Sequence, residues 1–482
     1  MKNIITITAN LFYRYFNLLF SLVIAGMYAN ALIFPNMGVD AAYYLRVTEC
    51  IADGAIPEYD LRIFYPPMVF YMLLPVKIIL GKTVAYQTYL GIMFLIQLFN
   101  ACFINRISRH YSKNNFVNIL LPLLYLFLSI KLEGEYFFLE PFINFWGLLA
   151  VLIYLKYGWS GSVFLFLSGF IVLLSFLAKQ YGLAFTALIF FMILIDNRSS
   201  VKRMIQKGLI FSSGILAALF MYIILFRLGH GVWYDFLYDG RLALYGEKDL
   251  LLMLKAIGKY FLLGPFLILL LIPTIFRKAL WGKNHLFAWL IFLGLLSYQF
   301  YLNQYEHYYM LVLSPILIMG GMILGELIPK RPMLAIVIIL LSLFINEYFV
   351  GRSTKSMILS SDETLSGELI KAKEINEVIP QNTQVYIFGN VKYYYLCHLN
   401  SAIPEKYGYS YSNILTKNDL VESIYAAEYV VVDMARLFFN HQLIDDTVQI
   451  GDFIRENNLQ LYRKTDNFLV YSKISKEIKY YN

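Results

Sequence analysis

Eleven apolar runs punctuate this chain, near 15–34, 83–104, 116–131, 142–156, 162–178, 183–195, 209–228, 259–276, 286–303, 308–325 and 333–350. Each approaches the length a helix needs to cross about 30 Å of hydrocarbon. In a bilayer the backbone must satisfy its own N–H and C=O groups, so runs of this kind are helices. Composition agrees, with 59% of residues hydrophobic and 15% charged, where soluble domains carry about 25% charge. The fold class that follows is a polytopic α-helical membrane protein of about 11 transmembrane helices. Aromatic residues at 17% suit the many helix ends that rest between hydrocarbon and water.

The charge is a topology signal before it is a partner signal. The net charge of +8 sits mostly in short loops between apolar runs, which argues against nucleic acid. Arg106, Arg109 and Lys113, then Lys156, then Arg198, Lys202, Arg203 and Lys207, then Arg277, Lys278 and Lys283, then Lys330 and Arg331 all fall on the side of the N-terminus. The positive-inside rule makes that side cytoplasmic. Counting 66–82 as a further crossing would invert every later loop, so PPMVFYMLLPVKIILGK reads as a helix in the outer interface, started by Pro66 and Pro67. Lys2 and Arg14 precede the first run, and Ala29-Asn30-Ala31 has the form of a signal-peptidase site. The run is of full spanning length and many spans follow it, which favours an uncleaved anchor.

The acidic residues collect on the opposite, outer side. The first outer loop, 35–82, carries Asp40, Glu49, Asp53, Glu58 and Asp60 with Arg46 and Arg62. The second carries Glu133, Glu135 and Glu140, and Glu306 lies in a later one. Residues 1–350 thus form a transmembrane domain with its chemistry in the first outer loop. Residues 351–482 are polar and mixed, with a helical period over Ser361 to Asn376 and strand-like VYIF at 385–388, YVVV at 429–432 and FLVY at 468–471. They read as a small extracytoplasmic α/β domain.

Each candidate site residue has a plain reading beside the chemical one. Asp40 could be a solvated loop carboxylate, but the loop runs on through Gly54-Ala55-Ile56-Pro57 to Tyr65-Pro66-Pro67, a turn sequence of ordered character. Glu140 could merely begin a helix, where a carboxylate favours the N-terminal dipole, or could act with Asp40 as a base and its partner. Lys179, followed by Gln180, could snorkel to the interface or meet a lipid-linked phosphate. His307, in Glu306-His307-Tyr308-Tyr309, reads first as structural. The other histidines do not cluster, and there is no metal-ligand spacing, phosphate loop, Rossmann glycine fingerprint or nucleophile elbow. Cys50, Cys102 and Cys397 leave one thiol over whatever pairs, and a Cys50–Cys397 disulfide would need both on the outer side.

Taken together, Asp40-Ala-Ala-Tyr43-Tyr44, Gly54 through Tyr65-Pro66-Pro67, Glu140-Pro141, Lys179-Gln180 and His307-Tyr308-Tyr309 resemble the glycosyltransferase C superfamily. The likeness is to bacterial members of the protein O-mannosyltransferase and lipid A aminoarabinose transferase group, the family 39-like membrane glycosyltransferases. VYIFGN at 385–390 and YYYLCHLNSAIPEKYGY at 393–409 are similar to the tail domain of such members. The resemblance implies an inverting transfer from a polyprenyl-phosphate-linked sugar to an acceptor on the outer face of a bacterial inner membrane, with Asp40 as catalytic base. The chain departs from the mannosyltransferases in having Asp40-Ala41 where they have adjacent acids. It departs from the aminoarabinose transferases in offering Tyr43 and Tyr65-Pro66 where they have an arginine and a lysine.

The chemistry of the residues fits that reaction class. A polyprenyl phosphate leaves as a stable anion, so one general base and nearby cations suffice, with no nucleotide, cofactor or divalent metal required. The resulting expectation has Asp40 as base, Glu140 or Glu135 orienting the acceptor, Lys179, Arg62 or Gln180 at the donor phosphate, and Tyr43, Tyr44, Tyr65 and His307 lining the substrate. The acceptor is a lipid, glycan or protein of the cell envelope. The rival from another class is a transporter or flippase of a lipid-linked saccharide, which usually carries mid-membrane charges or repeated halves. A ligase or polymerase acting on a lipid-linked substrate would place its long loop late, and a non-catalytic scaffold with a binding tail is the remaining alternative.

Overall fold

The computed structural model describes residues 2–55, 66–81, 85–134, 136–158, 161–226, 285–297, 306–349, 354–359, 365–390, 392–401, 426–434 and 459–473, with single positions between 251 and 300. Every apolar run named above carries a helix except 259–276, which lies outside the described residues. Among the described residues, five helices are long and apolar enough to cross a membrane: Tyr15–Ile33, Tyr86–Tyr111, Asn115–Gly134, Val201–Ile224 and Glu306–Lys330. The others are shorter.

Residues divide into two compact units. The first comprises 1–35, 86–230 and 237–360. Its helices are α1 (Lys2–Ile33), α4 (Tyr86–Tyr111), α5 (Asn115–Ser129), α6 (Glu140–Tyr157), α7 (Ser162–Ala178), α8 (Leu183–Asp196), α9 (Val201–Phe226), α10 (Leu286–Ser297), α11 (Tyr309–Lys330), α12 (Pro332–Phe349) and the short α13 (Thr354–Leu359). Leu18, Leu19 and Leu22 on α1 and Leu216 and Phe220 on α9 are exposed, as suits side chains that meet lipid tails instead of protein. α11 is almost wholly buried and packs against α4, α5, α6, α10 and α12.

Helices that stay in hydrocarbon must repair what proline removes. Pro122 in α5 cannot donate to the Asn118 carbonyl four residues back, and Asn105 Nδ2 of α4 donates to that carbonyl at 2.6 Å instead. Pro315 in α11 leaves the Leu311 carbonyl in the same condition, and the Ser314 hydroxyl reaches it at 3.4 Å. Both repairs follow the requirement that backbone groups be satisfied internally. Between α7 and α9 the repair is steric. A Cβ on Gly169 would lie 2.0 Å from the Phe211 carbonyl oxygen, and one on Gly214 would lie 2.0 Å from that of Phe166. The two backbones touch because both glycines lack side chains.

The second unit comprises 36–85, 231–236 and 361–482. It holds α2 (Val39–Ala52), α3 (Met68–Leu80), α14 (Leu365–Asn376), α15 (Lys392–Leu396) and a five-stranded sheet in the order β2-β1-β3-β5-β4. The strands are β1 (Gln384–Phe388), β2 (Asn400–Ser401), β3 (Tyr429–Asp433), β4 (Leu459–Lys464) and β5 (Phe468–Lys473). β1 pairs in parallel with β2 and β3, while β5 pairs antiparallel with β3 and β4. β1 and β3 are buried at four of five positions each, which is why they read as unbroken apolar runs.

This division differs from a boundary at 350. Residues 36–85 group with the tail because α2 packs on α15 and its polar side chains reach 398–400. α3 has 13 residues and so extends only about 20 Å at 1.5 Å per residue, short of the hydrocarbon thickness. Cys50, Cys102 and Cys397 are all free thiols, so no Cys50–Cys397 bridge forms.

Candidate active site

In the first unit the site is built where three chain breaks meet. α7 ends at Lys179, whose extended backbone (φ −168°, ψ 148°) swings its side chain off the helix, and a single 3₁₀ turn, Gln180–Gly182, restarts the chain into α8. Gly182 closes that turn: a Cβ there would sit 2.1 Å from the Ser175 carbonyl oxygen. α6 begins with Glu140 followed by Pro141, the residue suited to a first helical turn because its missing N–H would go unused there. The third break is a π-turn, Ile130–Gly134, with Glu133 at φ +66°.

Lys179 Nζ lies 2.5 Å from Glu140 Oε1, and both side chains are 1% exposed. The ammonium also faces the rings of Tyr308 at 4.4 Å and Tyr181 at 5.7 Å, which stand edge to face at 5.8 Å. These rings add cation–π attraction to a desolvated cation. Glu140 Oε2 and Gln180 Oε1 are buried and have no hydrogen-bond partner among the described residues. Beside them, His307 Nδ1 is 3.0 Å from Glu133 Oε2, and its ring stacks on Phe138 at 4.0 Å. The arrangement is a buried ion pair with open acceptor capacity, walled by aromatic rings.

No protein-family model and no curated protein matches the chain. Among solved structures it is similar to the crystal structure of ArnT from Cupriavidus metallidurans bound to undecaprenyl phosphate, with TM-score 0.63, 9% identity, and coverage of 95% of this chain and 98% of that one. The apo state of the same protein gives TM-score 0.60 at 9% identity, covering 94% and 97%. The chain shares the fold of that protein.

Within this fold the expected site residues fare differently. Glu140, Lys179, Gln180 and His307 belong to the first unit, and the structure joins Glu140 directly to Lys179. Asp40 belongs to the second unit, half-buried in the first turn of α2. Tyr43 and Tyr44 are 5% and 2% exposed and meet edge to face, and Tyr44 also lies against Phe70 of α3. Glu135, Arg62 and Tyr65 lie outside the described residues.

The structure also assembles groups that sequence spacing did not bring together. Glu49 Oε2 takes a 2.8 Å bond from Arg46 Nη1, while its Oε1 lies 2.7 Å from Lys77 Nζ and 3.5 Å from His398 Nδ1. Burial alone would raise this carboxyl, but His398, the charge of Arg46 and the hydrogen bonds of Lys77 and Arg46 outweigh it and hold it at about 2. Only the Arg46–Glu49 pair, three residues apart on one helix, carries a local sequence signal.

Proposed function

We propose that the protein is a membrane glycosyltransferase that moves a sugar from a polyprenyl-phosphate-linked donor to a hydroxyl of a cell-envelope acceptor. The observation that carries this reading is the shared fold, over 95% of the chain, with a protein captured on undecaprenyl phosphate. In this reading Asp40 takes the proton of the acceptor hydroxyl, whose oxygen attacks the anomeric carbon. The bond from that carbon to the phosphate oxygen breaks, the polyprenyl phosphate leaves with the electron pair, and the anomeric configuration inverts. No nucleotide or metal is asked to activate the leaving group.

The Glu140–Lys179 pair supports a substrate-holding role. A carboxylate with one oxygen bound to an ammonium and the other unpartnered can accept a hydroxyl hydrogen bond without releasing its cation. Gln180 Oε1 offers a second acceptor of the same kind. The clustering of basic residues in alternate loops supports a chain that crosses eleven times, with its N-terminus cytoplasmic and its tail extracytoplasmic in a bacterial inner membrane. Protein, lipid and glycan acceptors all present the hydroxyl this chemistry uses.

The test is release of polyprenyl phosphate from a panel of radiolabelled polyprenyl-phosphate sugars by the purified protein, with Asp40→Asn alongside and candidate acceptors added. Release from one donor, lost in the variant, supports a transferase and names the sugar. Silence across the panel from folded protein, with movement of a lipid-linked saccharide across proteoliposomes, would replace this reading with transport.

A further inference from the structure

The reading of Asp40 as base leaves open what fixes its helix. α2 begins after Gly38, which makes no side-chain cap. Its second half makes polar contacts with α3 and with 398–400. Arg46 is clamped between Glu49, through Nη1 at 2.8 Å, and Asn400 Oδ1, through Nη2 at 2.6 Å. Glu49 in turn meets Lys77 of α3 and His398.

The two tail residues are themselves oriented by the sheet. Asn400 lies on β2, with its backbone N–H on the Thr383 carbonyl at 3.0 Å and its Nδ2 on the Asn382 carbonyl at 2.8 Å. With Nδ2 so used, Oδ1 is the atom left to face Arg46. His398 has φ +51°, a left-handed conformation that costs a non-glycine residue free energy and persists only where its surroundings enforce it. The Asn382 N–H on its carbonyl at 2.8 Å and its own N–H on the Tyr395 carbonyl at 3.2 Å do so. The strained backbone delivers the imidazole to Glu49.

We propose that His398 and Asn400 are positioning residues that register α2 against the sheet and thereby set the direction of Asp40. The proposal rests on the reading of Asp40 as general base, because a base acts only within hydrogen-bond reach of the proton it removes. A displacement of about 1 Å costs on the order of a hundredfold in rate.

The experiment uses the full-length protein in detergent, with His398→Ala, Asn400→Ala, His398→Gln and Asp40→Asn. Each is assayed for donor turnover and for amide hydrogen exchange. The expected result is a fall in kcat of about ten- to a hundredfold in both alanine variants, with donor KM held within about threefold. Recovery to within about threefold is expected in His398→Gln, which keeps a side-chain donor for Glu49. Exchange should rise about tenfold at 39–44 while β1 and β3 stay protected. Unchanged exchange in α2 overturns the proposal whatever the activity, and so does loss of protection throughout the sheet. Faster exchange with unaltered kcat, where Asp40→Asn is inactive, overturns the link to Asp40 alone. A fully active Asp40→Asn removes the general-base reading and the proposal with it.

Discussion

Lys179 and Glu140 meet at 2.5 Å with neither side chain more than 1% exposed, a fully buried ion pair. The contact ties the start of α6 to the end of α7, two helices that also pack along their lengths. Removing one partner leaves the other buried without this counter-charge, which costs about 3–5 kcal/mol. Lys179→Met and Glu140→Leu should each therefore lower thermal stability sharply, while the double variant regains most of it. If the pair also holds substrate, the restored double variant stays inactive. Full activity in a stable double variant would reduce the pair to a structural tie.

The Glu49 cluster sets an acid limit on stability. Its carboxyl lies at about 2 against an ordinary 4.5, so the ionised form stabilises the fold above about pH 4.5, and that contribution is lost as pH falls through about 2. By linkage its size is on the order of 3 kcal/mol. Glu49→Gln should be much less stable than the parent at pH 7, with the gap in melting temperature narrowing steadily towards pH 2.5. A gap constant across that range would rule out ionisation of Glu49 as its source.

The α7–α9 crossing offers a purely steric check. Any side chain at Gly169 or Gly214 must displace a facing carbonyl that stands 2.0 Å from the new Cβ. Gly169→Leu should reduce the yield of folded protein and lower its melting temperature by several degrees, whereas Gly161→Ala, with its nearest neighbour at 3.7 Å, should be neutral. Equal behaviour of the two would mean that the helices do not cross at these glycines.

Sequence periodicity locates the helices because hydrocarbon imposes a length and an apolarity that no loop shares. It also locates β1, β3 and β5, whose VYIF, YVVV and FLVY runs match the strands at 384–388, 429–433 and 468–473. β4 escaped it because LQLYRK is buried only at Leu459 and reads as polar chain. The pairing of Glu140 with Lys179 was hidden for a different reason. Each residue has a sufficient local explanation, a helix start and an interfacial lysine, and a contact across 39 positions leaves no periodic trace. The grouping of α2 with the tail depends on Arg46 reaching Asn400, 354 residues away, which spacing cannot encode.

A second polar network lies in the first unit apart from Glu140. Asp196 accepts the Tyr154 hydroxyl at 2.6 Å on Oδ2 and faces His285 Nε2 at 2.8 Å with Oδ1. A carboxylate only accepts, so Nε2 carries a proton, and Nδ1 lies 2.9 Å from the Tyr111 hydroxyl oxygen. Trp289 Nε1 donates to that same hydroxyl oxygen at 3.4 Å. The chain of bonds links α4, α6, α8 and α10, and no substrate role is needed to account for it. Tyr154→Phe should cost about 1.5–3 kcal/mol, the scale of a hydrogen bond to a charged group, and Asp196→Ala more, since it strands His285 and Tyr154 together. Both variants should keep the parent's turnover per folded molecule. Thermal unfolding beside a donor-release assay on the same preparations checks this, and a loss of turnover in stable Tyr154→Phe would bring the network into the reaction.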